Sequence, residues 1–149
     1  MGMSRRPTKE ELYMKIALDT SKRSTCPRAQ VGCVLVHEGA ILAVAYNGAP
    51  SEAKHCHEVG CEIEGGHCIR SVHAEQNAIA VCARQGISTD GAVAYVTHVP
   101  CATCAKMLYR AGIHNVWFLN EYGNLEQIQK VIPALQLIQF HGSLKAFDE

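Results

Sequence analysis

A three-layer α/β/α domain with a mixed sheet is the fold this sequence predicts, and three observations predict it. Short runs of β-branched and apolar residues alternate with helical patterns, in the order β-β-α-β-α-β-α-β after a first helix. A two-residue turn joins the first two strands, which makes them antiparallel, while helices separate the later ones. The composition, 48% hydrophobic and 19% charged over 149 residues, is that of a chain with one packed core and no linker or repeat. Residues 1–149 are therefore expected to form a single domain.

Taking the elements in order, Leu12, Tyr13, Ile16 and Ala17 recur at helical spacing among charged residues and predict a helix between Thr8 and Arg23. Val31 to His37 and Ala40 to Tyr46 read as strands, with Glu38-Gly39 as the turn of an antiparallel hairpin. Asn47-Gly48-Ala49-Pro50 breaks the second strand. Residues 51–70 follow with three Cys, three His and no hydrophobic periodicity, which predicts a loop that needs an external agent to order it. Helical residues return from Val72 to Arg84 and stop at Gly86, and Ala92 to Thr97 reads as the third strand. Pro100 opens a helix running to about Ala111 and closed by Gly112, before a fourth strand at Asn115 to Leu119. Leu125 to Leu135 predicts a last helix limited by Pro133, and Leu137 to Phe140 a short final strand.

Charge excludes some functions. Lys plus Arg and Asp plus Glu number 14 each, so nothing overall draws the surface toward a phosphate backbone or an anionic membrane. Long nucleic acid and membrane are not expected partners. The opening Met-Gly-Met-Ser-Arg-Arg-Pro lacks the apolar core of a signal peptide, and no run is long enough to span a bilayer. A cytoplasmic protein is expected, in which eight Cys stay reduced and serve metal binding or catalysis rather than disulfides.

His73-Ala74-Glu75 begins one predicted helix, and Pro100-Cys101-Ala102-Thr103-Cys104 begins another. Helix N-termini carry unpaired amide donors and partial positive charge, which favours the thiolate that binds metal. Two cysteines one helical turn apart reach the same ion, and His73 makes a third ligand, leaving a fourth position for water. Two residues beyond His73, Glu75 stands close enough to accept and pass on that water's proton while staying outside the coordination shell. Taken alone, Cys-x-x-Cys is also half of a structural zinc knot or a redox pair. His-x-Glu upstream with Pro-Cys-x-x-Cys downstream is the signature of zinc deaminases. The sequence thus predicts a catalytic zinc on His73, Cys101 and Cys104, with Glu75 as proton carrier.

The chain resembles the deoxycytidylate deaminase family, within the cytidine deaminase superfamily, over nearly its whole length. The resemblance is carried by His-Ala-Glu-Gln-Asn-Ala-Ile at 73–79, Pro-Cys-Ala-Thr-Cys-Ala-Lys at 100–106, Ser-Lys-Arg-Ser-Thr-Cys at 21–26 and Gln-Val-Gly at 30–32. The family's Gly-Tyr-Asn-Gly-x-Pro element reads Ala45-Tyr46-Asn47-Gly48-Ala49-Pro50 here, with Ala for the first Gly. It implies a cytidine deaminase-like α/β/α domain with a five-stranded mixed sheet, and zinc-dependent deamination of dCMP to dUMP, which supplies thymidylate synthesis. It also implies homo-oligomers, commonly hexamers, and dCTP and dTTP act as effectors in many relatives. By resemblance, attack falls on C4 of cytosine while Glu75 shuttles a proton to N3 and then to the departing amine. The resemblance also implies that peptide groups near Ala74 and Cys101 contact the ring edge and that Asn47 contacts the sugar. Asn-Gly-x-Pro is equally ordinary turn chemistry. Arg28 and Tyr122 hold positions that face the 5′-phosphate in related enzymes, the alternative being plain surface residues.

Residues 51–70 hold a second constellation, in which Cys56, Cys61, Cys68, His57 and His67 crowd together and Cys26 ends the first helix. Family members with Cys at the positions of Cys26 and Cys56 often bind a structural zinc there, and Cys61, His67 and Cys68 are the candidates to complete it. The other reading is a set of free thiols in a mobile loop. Cys33 and Cys82, within a strand and a helix, read as small core residues.

Competing functions fall into two classes. Other deaminases of this fold act on free cytidine, guanine, a riboflavin precursor or adenosine in tRNA; the balanced charge argues against tRNA, and free cytidine enzymes usually present Cys-Ala-Glu in place of His73-Ala74-Glu75. The second class is a non-catalytic, zinc-stabilised, competence-associated module, against which Glu75 argues, since a closed structural zinc has no use for a carboxylate beside it.

Overall fold

The computed structural model describes residues 5–50, 52–121, 123 and 125–148. Its hairpin turns at Glu38-Gly39, where both residues have positive φ, 50° and 81°. A two-residue turn of this hand matches the twist of the strands it joins, and glycine takes up the second position without steric cost. The turn joins β1 (Gly32–His37) to β2 (Ala40–Tyr46) with Val34 opposite Val44, and one irregularity between Leu35 and Val36. On its other side β1 pairs antiparallel with β5 (Val93–His98). Parallel pairings then add β6 (Asn115–Asn120) and β7 (Gln136–Gln139). The sheet order is β2-β1-β5-β6-β7, the five-stranded mixed sheet the resemblance implied.

Strand alternation sends side chains to two cores. Val34, Val36 and Tyr95 pack with Tyr13, Met14 and Ala17 of α1 (Lys9–Ser21) and with Phe140. Cys33, Leu35, Ala94, Val96, Val116 and Phe118 point the other way. There they bury Ala78 and Cys82 of α3 (Ala74–Gln85), Leu108 of α4 (Ala102–Arg110) and Ile128 of α5 (Leu125–Val131). Each Leu, Ile or Phe so buried contributes about 1.5–3 kcal/mol. Helix, sheet and helices make the three layers. Close approach of α1 to the sheet is licensed at Gly32, where an added Cβ would run into the carbonyl of Ala17.

A capping box starts α1: the Thr8 hydroxyl accepts the Glu11 amide at 3.1 Å, and the Glu11 carboxylate accepts the Thr8 amide at 2.9 Å. The same carboxylate takes two bonds from Arg5 and one from the Ser143 amide, so it ties the chain before α1 to the segment after β7.

Two sequence expectations are corrected. Residues 51–70 hold regular structure: a one-turn helix α2 (Cys56–Val59) and a small hairpin of β3 (Ile63–Glu64) and β4 (His67–Cys68). Elements of two to four residues are too short to leave a hydrophobic period in the sequence. The last helix stops at Val131 rather than Leu135, because the residue before Pro133 is disfavoured in the helical region. At the base of the excursion, Gly48 and Val72 exchange backbone bonds of 3.1 and 2.8 Å.

Candidate active site

Two helix starts carry the chemistry. His73 is the N-cap of α3 and Cys101 the N-cap of α4, whose sulfur accepts the Cys104 amide at 3.5 Å. Asn77, one turn into α3, donates from Nδ2 to the Tyr46 carbonyl at 2.9 Å and fixes the helix against the end of β2. With both starts held, His73 Nδ1 lies 3.6 Å from Cys101 Sγ and 3.3 Å from Cys104 Sγ. The three ligand atoms all lie within 4.8 Å of one another. One nitrogen and two sulfurs at this spacing fit a tetrahedral zinc with one open position. Hydrogen bonds from Cys104 and His73 hold the Cys101 thiol down at about 4, a thiolate ready for a cation. Cys104 moves the opposite way, because Cys101 shares its proton and burial disfavours its charge.

Glu75, in the first turn of α3, is 4% exposed, and burial raises its carboxyl to about 7. It opens with His73 and Cys101 on a cavity of about 490 Å³, whose wall also includes Ala74, Arg28 and Asn47. Eight residues named from the sequence, Cys26, Arg28, Asn47, Cys68, His73, Ala74, Glu75 and Cys101, thus share one cavity. Tyr122 lies outside the described residues.

Asn47 is more than a turn residue. Its Oδ1 accepts the Val31 amide at 2.8 Å, and its Nδ2 donates to the Ala29 carbonyl at 2.8 Å, so it clamps the backbone beside Arg28. The cavity wall also contains Val31, Ser71, His98 and Val99, which the sequence reading missed. A signal existed for His98: with Ala94 and Val96 it falls on the β5 face that meets α3 and α4. Its Nδ1 lies 2.9 Å from Thr97 Oγ1, which accepts the Gly32 amide at 3.1 Å, and burial lowers its pKa. Ser71, a common residue type in an aperiodic segment, offered no signal.

A second group forms in the excursion. The sulfurs of Cys56, Cys61 and Cys68 lie within 4.8 Å of one another, with Cys56 to Cys68 at 3.6 Å. Burial works against a charge on Cys68, but amides of Ser71, Arg70 and Glu62 hold its thiol down to about 7. Burial and then Cys68 push Cys56 up to about 12. Cys26, buried in the wall of the main cavity, is outside this group of three, and the His67 side chain is outside the described structure. Cys33 and Cys82 are fully buried core residues.

An α/β sheet that aims two helix N-termini, with their nitrogen and sulfur donors, at one carboxyl-lined cavity defines the class as a deaminase-type fold with a metal-ligand cluster. The model of the cytidine and deoxycytidylate deaminase zinc-binding region matches residues 7–120, and the chain belongs to the deoxycytidylate deaminase family. It is 45% identical over 100 residues to ComE operon protein 2 of Bacillus subtilis, covering 67% of this chain and 53% of that one. To the deoxycytidylate deaminase of Mycobacterium phage D29 it is 33% identical, covering 78% of this chain and 98% of the phage protein. The crystal structure of the dCMP deaminase of cyanophage S-TIM5 in complex with dCMP and dUMP superposes with a TM-score of 0.78 at 35% identity, over 91% of this chain and 99% of that one. The chain spans about half the length of ComE operon protein 2 and of the yeast deoxycytidylate deaminases it matches. No helix among the described residues is long and apolar enough to cross a membrane.

Proposed function

We propose that this chain hydrolyses dCMP to dUMP and ammonia, with zinc held by His73, Cys101 and Cys104 and Glu75 as the proton carrier. The observation that carries the reading is a buried carboxyl opening on the same cavity as His73 and Cys101, which with the buried Cys104 place a nitrogen and two sulfurs at the spacing for one ion. The S-TIM5 relative, solved with dCMP and dUMP, supports the substrate. Zinc in this site supplies Lewis-acid activation of water at neutral pH. The Glu75 carboxylate takes the proton of the attacking water and delivers it to N3 of cytosine as oxygen adds at C4. It then takes the remaining proton from the oxygen now on C4 and passes it to the C4 amine, which leaves as ammonia as the C4 carbonyl forms. A carboxyl raised to about 7 gives and accepts protons readily near neutral pH. Ala74 is the proposed contact for the ring edge, Asn47 for the sugar, and Arg28 with Tyr122 for the 5′-phosphate. A charge-assisted bond from Arg28 contributes about 1.5–3 kcal/mol, which separates dCMP from deoxycytidine.

The sulfurs of Cys56, Cys61 and Cys68 support a second, structural zinc, completed by Cys26 or His67. This part of the reading makes two ions per chain. Its thiols need a reducing compartment, which supports the cytoplasm, where the dUMP would feed thymidylate synthesis. Val81 on α3 and Met107 on α4 are exposed apolar residues, and they support assembly into a homo-oligomer, a hexamer in keeping with the resemblance. Regulation by dCTP and dTTP rests on the resemblance alone.

The 45% identity to ComE operon protein 2 favours a second reading, a zinc-stabilised module without catalysis. Ammonia release decides between them: zinc-loaded protein is incubated with dCMP and, separately, with deoxycytidine. Release from dCMP well above that from deoxycytidine is the expected result. No release from dCMP leaves the second reading, and equal use of both substrates refutes the monophosphate preference.

A further inference from the structure

Ser71 stands on a short strap, residues 68–73, that joins the three-cysteine group to His73. The strap is held at both ends. The Ile69 amide donates to the Glu62 carbonyl at 2.7 Å, and Val72 exchanges two backbone bonds with Gly48. Between these anchors Ser71 forms part of the wall of the main cavity. Its Oγ is buried and has no hydrogen-bond partner among the described residues. A hydroxyl carries one donor and two acceptor sites, and leaving them buried and unmet is unfavourable. In this rotamer the hydroxyl is left without a partner beside a cavity whose occupant can supply one. Rotation about χ1 between staggered wells brings a serine hydroxyl to such a group.

Arg28 is the one Lys or Arg side chain in the wall of this cavity among the described residues. Arginine and serine are both common partners of phosphate oxygens, one by charge and the other by a neutral O–H donor. We infer that Ser71 is a specificity-determining residue, its hydroxyl donating to the 5′-phosphate of the nucleotide alongside Arg28; the inference rests on the dCMP reading above. The strap that presents this hydroxyl begins at Cys68 of the cysteine group.

Calorimetric titration of dUMP and of deoxyuridine into the zinc-loaded full chain tests this on wild type, Ser71→Ala and Ser71→Thr. Ser71→Ala should bind dUMP about tenfold more weakly while its affinity for deoxyuridine shifts less than about twofold, and Ser71→Thr should recover most of the loss. Zinc content and thermal midpoint, measured alongside, should match wild type in both variants. Unchanged dUMP affinity in Ser71→Ala overturns the proposal, as does an equal loss for both ligands or a loss of zinc, because either marks a disturbed wall. Failure of the underlying reading looks different: wild type itself would bind dUMP no better than deoxyuridine, and the phosphate contact would fall with it.

Discussion

The side-chain oxygen of Asn47 accepts the backbone amide of Val31 at 2.8 Å, and the Nδ2 of the same asparagine donates to the carbonyl of Ala29 at 2.8 Å. A strand-ending residue thereby sets the path of the segment that carries Arg28 into the cavity wall. Asn47→Ala should cost about 1–3 kcal/mol of stability, since buried backbone groups lose their partners. It should also raise KM for dCMP more than it lowers kcat. Asn47→Asp keeps the acceptor and should lose less on both measures. Urea melts and steady-state kinetics on the three proteins check this; Asn47→Ala with wild-type KM refutes the clamp.

Glu75→Gln preserves shape and burial but cannot move a proton. Its zinc content and melting point should equal those of wild type, while ammonia release from dCMP falls by about 10²–10⁴. Activity within tenfold of wild type would sink the proton-carrier role.

Cys56→Ser breaks the group of three sulfurs without touching His73, Cys101 or Cys104. Metal analysis of wild type should give two zinc ions per chain, and of the variant one, with stability lowered by about 2 kcal/mol or 4–8 °C. One zinc in carefully prepared wild type counts against the second site.

Acid should unfasten the N-terminal anchor. The hydrogen bond from Arg5, then that of the Thr8 amide, holds the Glu11 carboxyl down at about 2, against an ordinary value of 4.5. A carboxyl depressed in the folded state contributes stability that is fully present above its unfolded value and is lost as pH falls through the folded one. Stability should therefore decline from about pH 4.5 toward pH 2, and Glu11→Gln should flatten that part of the curve. Denaturant midpoints across the interval measure it; parallel wild-type and variant curves would show that Glu11 is not the group responsible.

Gly32→Ala places a methyl group against the Ala17 carbonyl, where backbone stands on both sides. The variant should lose about 1–3 kcal/mol as α1 moves off the sheet. A melt unchanged from wild type would show that α1 yields without cost.

The hairpin, the sheet order and the two ligand-bearing helix starts were legible because each has a local mark: a two-residue turn, alternating apolar runs, and His-x-Glu or Pro-Cys-x-x-Cys at a helix entry. What could not be read is long-range and unperiodic. The partners of Asn47 lie more than fifteen residues away, so its sequence context announces only a turn. Residues 56–68 fold into pieces too short to register a period, and their convergence of three sulfurs follows from tertiary closure. Ser71 enters the cavity from a strap tied at Ile69 and at Val72, bonds to partners that no local pattern announces.

The paired backbone bonds between Gly48 and Val72 make the stretch from residue 49 to residue 71 an exchangeable cassette. Its two ends meet whatever lies between them, and lengthening a closed loop costs little, about 0.6 kcal/mol per doubling. Asn47 on one side of the junction and His73 on the other keep their places by bonds made outside the cassette. On the proposed reading, grafting a different insert would therefore alter nucleotide preference while leaving His73 and Glu75 in place, a separation that directed evolution could use.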